Sequence, residues 1–382
     1  MAIYFDNAAT TPLDPEVQEE LFRYLKEDFG NPNSIHGEGR KARKLIEAAR
    51  KSFAEFLRCS SEEIIFTSCA SESNNYFLKH YPCDLLVTSP SEHSCVLESA
   101  KASGKEIHWL KLDEYGRADK ADLEKVLEEN KDKKVLVSLM YGNNEIGSIN
   151  DIQYLADLKD TYPNLIVHSD CVQALTKLEI DLAKLDIDSI SCSAHKVHGP
   201  KGVGLIYISK KQQGLMSLKN LALIHGGNQE SGFRSGTQNV PGIAAFAKAI
   251  EVAQKHKVTL FELDAYFFEA IKENSEHVTL NSPNFNRVPG IFNIFLPGCR
   301  LNSEELVLQM DLHGICVSSG SACSSLKGDA EIISSYVLRA CGVDRAIAEK
   351  SVRVSLSRQN TKAEIDELFK IIKEISKKFP IK

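Results

Sequence analysis

Ile187-Asp188-Ser189-Ile190-Ser191-Cys192-Ser193-Ala194-His195-Lys196-Val197-His198-Gly199-Pro200-Lys201-Gly202 is an apolar, strand-like run that breaks into a turn with a lysine at the break. Glycine and proline follow Lys196 almost at once, which ends any regular element there and leaves the lysine just past a strand end. A lysine is ordinarily a solvated surface charge. A lysine at a strand exit, among hydroxyl and imidazole groups, equally suits a carbonyl cofactor held as a Schiff base. The stretch by itself leaves both readings open; the rest of the chain has to supply a pocket.

Outward from this stretch, β-rich runs at 64–67, 85–88, 107–110, 135–139, 165–168, 189–191 and 203–208 alternate with helix-like segments such as 118–129 and 152–159. That alternation predicts an α/β fold with a largely parallel sheet of seven strands. Ahead of it, residues 40–57 place Leu45, Ile46, Ala49, Phe53, Phe56 and Leu57 at helical spacing. From about residue 257 the pattern changes to a helix at 260–274, then short strands at 290–296, 315–318 and 352–356. Thr361-Lys362-Ala363-Glu364 reads as a capping box opening a last helix, with Ile365, Leu368, Phe369, Ile372 and Ile375 on one face. The expectation is a large domain over 15–256 and a smaller α/β domain over 257–382, joined by an N-terminal segment, 1–14.

At 382 residues the chain is long enough for two packed domains. Its net charge of −6 leaves no basic excess to neutralise phosphates, which excludes a general nucleic-acid binder. Lys370, Lys373, Lys377, Lys378 and Lys382 read as one solvated helix face and a frayed end. The first residues carry neither a basic nor an apolar leader region, so no secretory signal is expected. No apolar run approaches the ~18 residues of a membrane span. The ten cysteines are scattered with no Cys-x-x-Cys pair, which predicts reduced thiols, no metal site and a cytosolic setting.

Ligands of open α/β sheets bind beyond the carboxyl ends of the strands, so the residues at each strand exit test for a pocket. After 64–67 comes Ser68-Cys69-Ala70-Ser71-Glu72, a small, hydroxyl-rich helix opening that suits a phosphate or, equally, a plain cap. After 85–88 comes Pro90-Ser91-Glu92-His93, and after 135–139 comes Tyr141-Gly142-Asn143-Asn144-Glu145. Asp170 and Gln173 follow 165–168, and Ser193, His195 and Lys196 follow 189–191. Five polar strand exits in one sheet exceed what capping needs. A phosphate turn, a carbonyl-binding lysine, an aspartate for a ring nitrogen and an imidazole are the parts of a pyridoxal phosphate site.

With those residues assembled, the chain resembles a known family. Phe5-Asp6-Asn7-Ala8-Ala9-Thr10-Thr11, Gly30-Asn31-Pro32-Asn33-Ser34-Ile35-His36, Asn143-Asn144-Glu145-Ile146-Gly147, Ala194-His195-Lys196 and Arg234-Ser235-Gly236-Thr237 are similar to motifs of the cysteine desulfurases, class V aminotransferase-like enzymes of the fold-type I pyridoxal phosphate transferases. The resemblance implies that Lys196 is the Schiff-base lysine, His93 the imidazole over the pyridine ring, Asp170 the partner of the ring nitrogen and Gln173 that of the phenolic oxygen. It implies that Ala70, Ser71, Ser193 and His195 hold the phosphate and that Asn144 lies beside the cofactor. Thr237 is then expected to reach the phosphate of a neighbouring subunit, which makes a homodimer. Arg353 becomes the clamp for a substrate carboxylate, with a structural ion pair as its other reading.

Aminotransferases, lyases and desulfurases of this superfamily share the lysine and aspartate, so the reaction is read elsewhere. Val317-Ser318-Ser319-Gly320-Ser321-Ala322-Cys323-Ser324-Ser325 sets one cysteine in a small, polar stretch, and it is similar to the catalytic loop of the cysteine desulfurases. Cys171, Cys192 and Cys316 sit in or beside apolar strand runs and read as buried and inert. The resemblance thus implies that Cys323 takes sulfur from L-cysteine as a persulfide and hands it to an acceptor protein, an iron–sulfur scaffold being one candidate. A selenocysteine lyase or another class V lyase or aminotransferase is the alternative enzyme. A degenerate persulfide-carrying scaffold is the non-enzymatic one, against which the intact Lys196, Asp170, His93 and Cys323 stand. Two departures concern the phosphate turn: Cys69 stands where the family usually has glycine and Ser71 where threonine is common.

Overall fold

The computed structural model describes residues 2–215, 222–320 and 335–381. At its centre lies a seven-stranded sheet of β2 (Ile64–Thr67), β3 (Leu85–Thr88), β4 (Glu106–Trp109), β5 (Val135–Ser138), β6 (Leu165–Asp170), β7 (Ser189–Ser193) and β8 (Gly204–Ile208), preceded in the chain by β1 (Ile3–Tyr4). The order across the sheet is β2-β8-β7-β6-β5-β3-β4. β8 runs antiparallel to both its neighbours, β2 and β7, and every other pairing is parallel. The strands are continuous apolar runs because the sheet is covered on both faces; every residue of β2, β3, β5, β6, β7 and β8 is buried. Only β4, at the edge, exposes a charged residue, Glu106.

The seven strands expected from the sequence are all present, with no end shifted by more than two residues. Two shifts matter. β6 runs on to Asp170 and β7 to Ser193, so the last ladder residue of each strand is itself a candidate site residue held by the sheet.

Helix α1 (Pro15–Glu27), unread from the sequence, starts where the Asp14 carboxylate accepts the Glu16 N–H at 2.9 Å, with proline at the first position. Its only buried residue is Val17, so no apolar stripe announced it. α2 (Gly37–Leu57) buries Ala42, Ile46, Ala49, Phe53 and Leu57 along one face, and Arg58 closes it in the left-handed region at φ 56°. α3 (Ala70–His80) and α4 (Ser94–Lys101) open directly after β2 and β3.

A second core gathers Phe5, Phe267, Phe292 and Phe369, with ring centroids 4.2 and 5.3 Å apart around Phe267. It lies under a small antiparallel sheet in which β10 (Ile291–Phe295) is flanked by β9 (Thr279–Leu280) and β12 (Ser351–Ser355). The chain's first residues belong here: β1 pairs in parallel with β11 (Ile315–Cys316). The capping box read at Thr361 and Glu364 is present, and the helix Lys362–Lys378 buries the five apolar residues expected of it. Because β1 returns to this core, Asp6 comes to lie beside β12 and Arg353.

One buried ion pair ties residues 228–238 to the sheet. The Glu230 carboxylate, with none of its side chain exposed, accepts from Arg50 Nη1 and Nη2 at 2.8 and 2.9 Å, from the Phe66 N–H at 2.9 Å and from Gln238 at 3.0 Å. Glu230→Ala strands a buried guanidinium, and the expected loss is about 3–5 kcal/mol, read as a lowered urea midpoint. A loss below about 1 kcal/mol would mean the pair behaves as a solvated surface contact.

Candidate active site

The carboxyl ends of β2, β3, β5, β6 and β7 open into one cleft of about 310 Å³. At its floor stands Lys196, one turn past β7, whose Nζ donates to the carbonyls of Ala8 and Ala9, both at 2.7 Å. The N-terminal segment therefore supplies the wall opposite the lysine. Asp170 is buried at the end of β6. Asn74 Nδ2 donates to its Oδ2 at 2.7 Å and the Val172 N–H to its Oδ1 at 3.0 Å, which fixes the plane of the carboxylate.

At the opposite end α3 points its N-terminus at the cleft, with Ala70 and Ser71 in its first turn lining the wall. Gly204 permits this: a Cβ there would lie 2.9 Å from the Cys69 Cα and 2.8 Å from the Cys192 carbonyl. The first-turn N–H groups and the helix dipole favour an anion at this end. Ser193 Oγ, also in the wall, is buried with no hydrogen-bond partner, and Asn144 Oδ1 is likewise unpartnered. Buried polar atoms are normally satisfied. Two orphans in one cleft are groups shaped for a polar ligand.

Burial favours the neutral form of both histidines. Burial first, then Lys196, Lys201 and His93, hold His195 down to about 4, and its Nδ1 lies 3.1 Å from the Thr10 hydroxyl. Burial, with Lys196 and Arg353, lowers His93 against the opposing pull of Asp170. Gln173 donates to the Ala8 carbonyl at 2.9 Å and accepts from Lys177 Nζ at 3.1 Å, so its amide is oriented by groups on both sides.

Arg353 lines the cleft as expected, yet most of its donors are engaged. Nη2 pairs with Asp6 at 2.7 Å and Nη1 donates to the Asn144 carbonyl at 3.0 Å, while Nε has no partner. Thr237 is exposed and lies away from this cleft. Cys323 falls outside the described residues. The residues that flank its stretch do reach the site: Ser318 and Gly320 line the cleft, and Ser335 donates to the buried Glu145 carboxylate.

The sequence reading gave no role to five residues that the structure brings here. Asn74 and Cys95 arrive from the faces of α3 and α4, and Tyr336 from far along the chain, its hydroxyl donating to the Glu92 carbonyl at 2.7 Å. Glu92 and Glu145 were visible at strand exits, but their burial was not. Burial holds the Glu145 carboxyl up at about 7, against the Ser335 hydroxyl and Arg353, and pushes Glu92 well above the carboxylate range.

Covalent anchor, anion-binding helix end, fixed carboxylate and unpartnered hydroxyl fit the pyridoxal phosphate expected from the sequence, within a cleft of the size small-molecule sites require. Comparisons with known proteins point the same way. The sequence pattern of the aminotransferase class-V family matches residues 3–368. The cysteine desulfurase IscS of Dictyoglomus turgidum is 40% identical over 389 aligned positions, covering 98% of this chain and 95% of that protein. A solved NifS-like protein superposes with a TM-score of 0.89 at 36% identity, over 99% of this chain and all of the other. SspA, solved in complex with cysteine, superposes with a TM-score of 0.77 at 30% identity, over 94% of this chain and all of that one.

Proposed function

We propose, from the premise that this chain belongs to the class-V aminotransferases and among them to the cysteine desulfurases, that Lys196, His93 and Cys323 carry its reaction at the cleft just described. The protein is a pyridoxal-phosphate-dependent enzyme that takes sulfur from L-cysteine and leaves L-alanine. The observation that carries the residue assignment is the Lys196 amine at a cleft floor whose far end offers the α3 N-terminus and the unpartnered Ser193 hydroxyl.

When bound, pyridoxal phosphate supplies an aldehyde for the substrate amine and an electron-withdrawing ring that labilises bonds at the substrate's Cα and Cβ. Ala70, Ser71, Ser193 and His195 would hold its phosphate, and Asn144 and Gln173 its ring substituents. Asp170, held in plane by Asn74 and Val172, would keep a proton on the ring nitrogen. Lys196 would anchor the aldehyde, and its free amine is the group placed to move the substrate's Cα proton. Arg353 exchanges Asp6 for the substrate carboxylate, its unpartnered Nε giving the second donor of a bidentate grip.

Cys323 Sγ forms a bond to the substrate sulfur as the Cβ–S bond breaks, and the electron pair of that bond stays on the carbon side. Protons return there to complete alanine. The balance is L-cysteine plus protein thiol giving L-alanine plus protein persulfide. Gly320 lines the cleft, and Cys323 follows it three residues later in the sequence. His93 is placed to give a proton to the substrate and to regain one from its thiol.

Thr237 is exposed and free to serve a second copy, which accords with a homodimer in which each chain completes its neighbour's phosphate site. Among the described residues no helix is long and apolar enough to cross a membrane. We place the enzyme in the cytosol, where the persulfide passes to an acceptor protein for iron–sulfur cluster or other thio-cofactor synthesis. Purified protein supplied with pyridoxal phosphate, L-cysteine and a thiol reductant is expected to release alanine and sulfide in equal amounts. Turnover of selenocysteine with none of cysteine would overturn the reading.

A further inference from the structure

Cys95, in the first turn of α4, is a cleft residue that the reaction above does not use. Its Sγ lies 3.0 Å from His93 Nδ1 and 3.2 Å from Asn74 Nδ2. The same Nδ1 accepts the Cys95 backbone N–H at 3.2 Å, so the imidazole ring caps α4. Asn74 Nδ2 also donates to Asp170 at 2.7 Å.

The Ser71 hydroxyl also reaches the Cys95 sulfur as a donor, and with it in place the other donors and acceptors favour one assignment. Asp170 accepts only, so Asn74 must turn its NH₂ group towards it; the opposite orientation would set Oδ1 against a carboxylate. One amide hydrogen goes to Asp170 and the other to Cys95 Sγ, whose S–H is then directed at His93 Nδ1. That nitrogen faces a backbone N–H that cannot rotate away, so it carries a lone pair and the ring proton resides on Nε2. A thiolate–imidazolium pair is the alternative. It would require a proton on Nδ1, against the fixed N–H. Burial and then Asp170 push the Cys95 thiol up to about 12, and burial lowers His93; both directions favour the neutral pair. The charges facing this pair are Asp170, Lys196 and Arg353, with Glu92 near Cys95.

We propose that Cys95 is a positioning residue that, steered by Asn74, holds His93 as the tautomer presenting Nε2–H to the cleft. This rests on the reading of His93 as the imidazole that serves the desulfuration. It connects the carboxylate expected at the cofactor's ring nitrogen to the imidazole expected over its face, through Asn74 and one thiol. The donated hydrogen bond also restrains rotation of the ring, so that Nε2–H arrives already aimed.

Ring-¹⁵N-labelled histidine in the full-length protein, with pyridoxal phosphate bound, tests this; the His93 signals are those that vanish in His93→Gln. The wild type is expected to show Nδ1 unprotonated and Nε2 protonated at neutral pH. Cys95→Ala moves the Nδ1 signal and lowers kcat for L-cysteine by up to about tenfold, the upper worth of one neutral hydrogen bond, with KM within about twofold. Cys95→Ser restores a donor and returns both the shift and most of kcat. A protonated Nδ1 in the wild type overturns the proposal, and so does equal loss in the serine and alanine variants. Absence of any alanine from L-cysteine would refute the desulfurase reading instead, and the nitrogen shifts would still decide the tautomer.

Discussion

Lys196→Ala will lower alanine formation from L-cysteine by about 10³-fold or more, the combined worth of a covalent anchor and a proton-transfer group. The protein should still fold. The Lys196 amine bonds to the backbone carbonyls of Ala8 and Ala9, and both residues border a solvent-accessible cleft, where water can take its place. Lys196→Arg separates charge from chemistry. The guanidinium keeps the positive charge beside the Ala8 and Ala9 carbonyls but cannot condense with an aldehyde or give up a proton near neutrality. An arginine variant that retained a tenth of wild-type turnover would show that the lysine acts as a charge. The expected result is that both variants fall together, with far-ultraviolet circular dichroism and the urea midpoint unchanged.

The parts of this site that could be read in the sequence are those that secondary structure alone positions. Ala70, Ser71, His93, Asn144, Asp170, Ser193 and Lys196 all follow or end strands that are buried on both faces, so each strand appears as an unbroken apolar run with its exit marked by the first polar residues. Elements without such a contrast were missed. The helix Val240–Lys255 is buried almost all round, through Val240, Ile243, Ala244, Ala245, Phe246, Ala249 and Ile250 among others, and shows no stripe. β1 is two residues long and finds its partner, β11, near residue 315, which no local pattern encodes. Asn74 lies one helical turn after Ala70, on a face whose partner is known only once α3 is packed on the sheet. A glutamate is rarely buried, so residue type concealed the place of Glu145 in the wall and of Glu92 behind it.

Arg353 shows the same limit from the other side. Its residue type suggested a carboxylate clamp, and the chain itself supplies a carboxylate, Asp6, from β1's short extension into the small core. The ion pair and the clamp are compatible only if substrate displaces Asp6. The buried guanidinium is never left uncompensated in that exchange, because one carboxylate replaces another.

Cys323→Ala will lower desulfuration by about 10²-fold or more while leaving the visible absorbance of the bound cofactor intact, and Cys69→Ala will change it by less than about threefold. The pairing of these two variants rests on the chemistry open to the other thiols. Sulfur transfer needs a thiolate that can reach both substrate and acceptor. Of the nine cysteines among the described residues, burial pushes Cys59, Cys95 and Cys341 up to about 12 and raises Cys83, Cys171, Cys192, Cys299 and Cys316 as well. These eight are poor nucleophiles at neutral pH. Cys69, like Cys95, lines the cleft, but at the N-cap of α3, where a helix dipole favours an anion. That position adjoins Ala70 and Ser71, at the end where the phosphate would sit and compete with any thiolate for the same N–H groups. On the roles proposed for Arg353 and His93, the substrate's carboxylate and sulfur would lie at their end, which Ser318 and Gly320 border. Mass spectrometry of protein quenched during turnover is therefore expected to find the added sulfur on the peptide containing Cys323. Recovery of that sulfur on Cys69, with activity persisting in Cys323→Ala, would move the sulfur-accepting step to the phosphate end of the cleft.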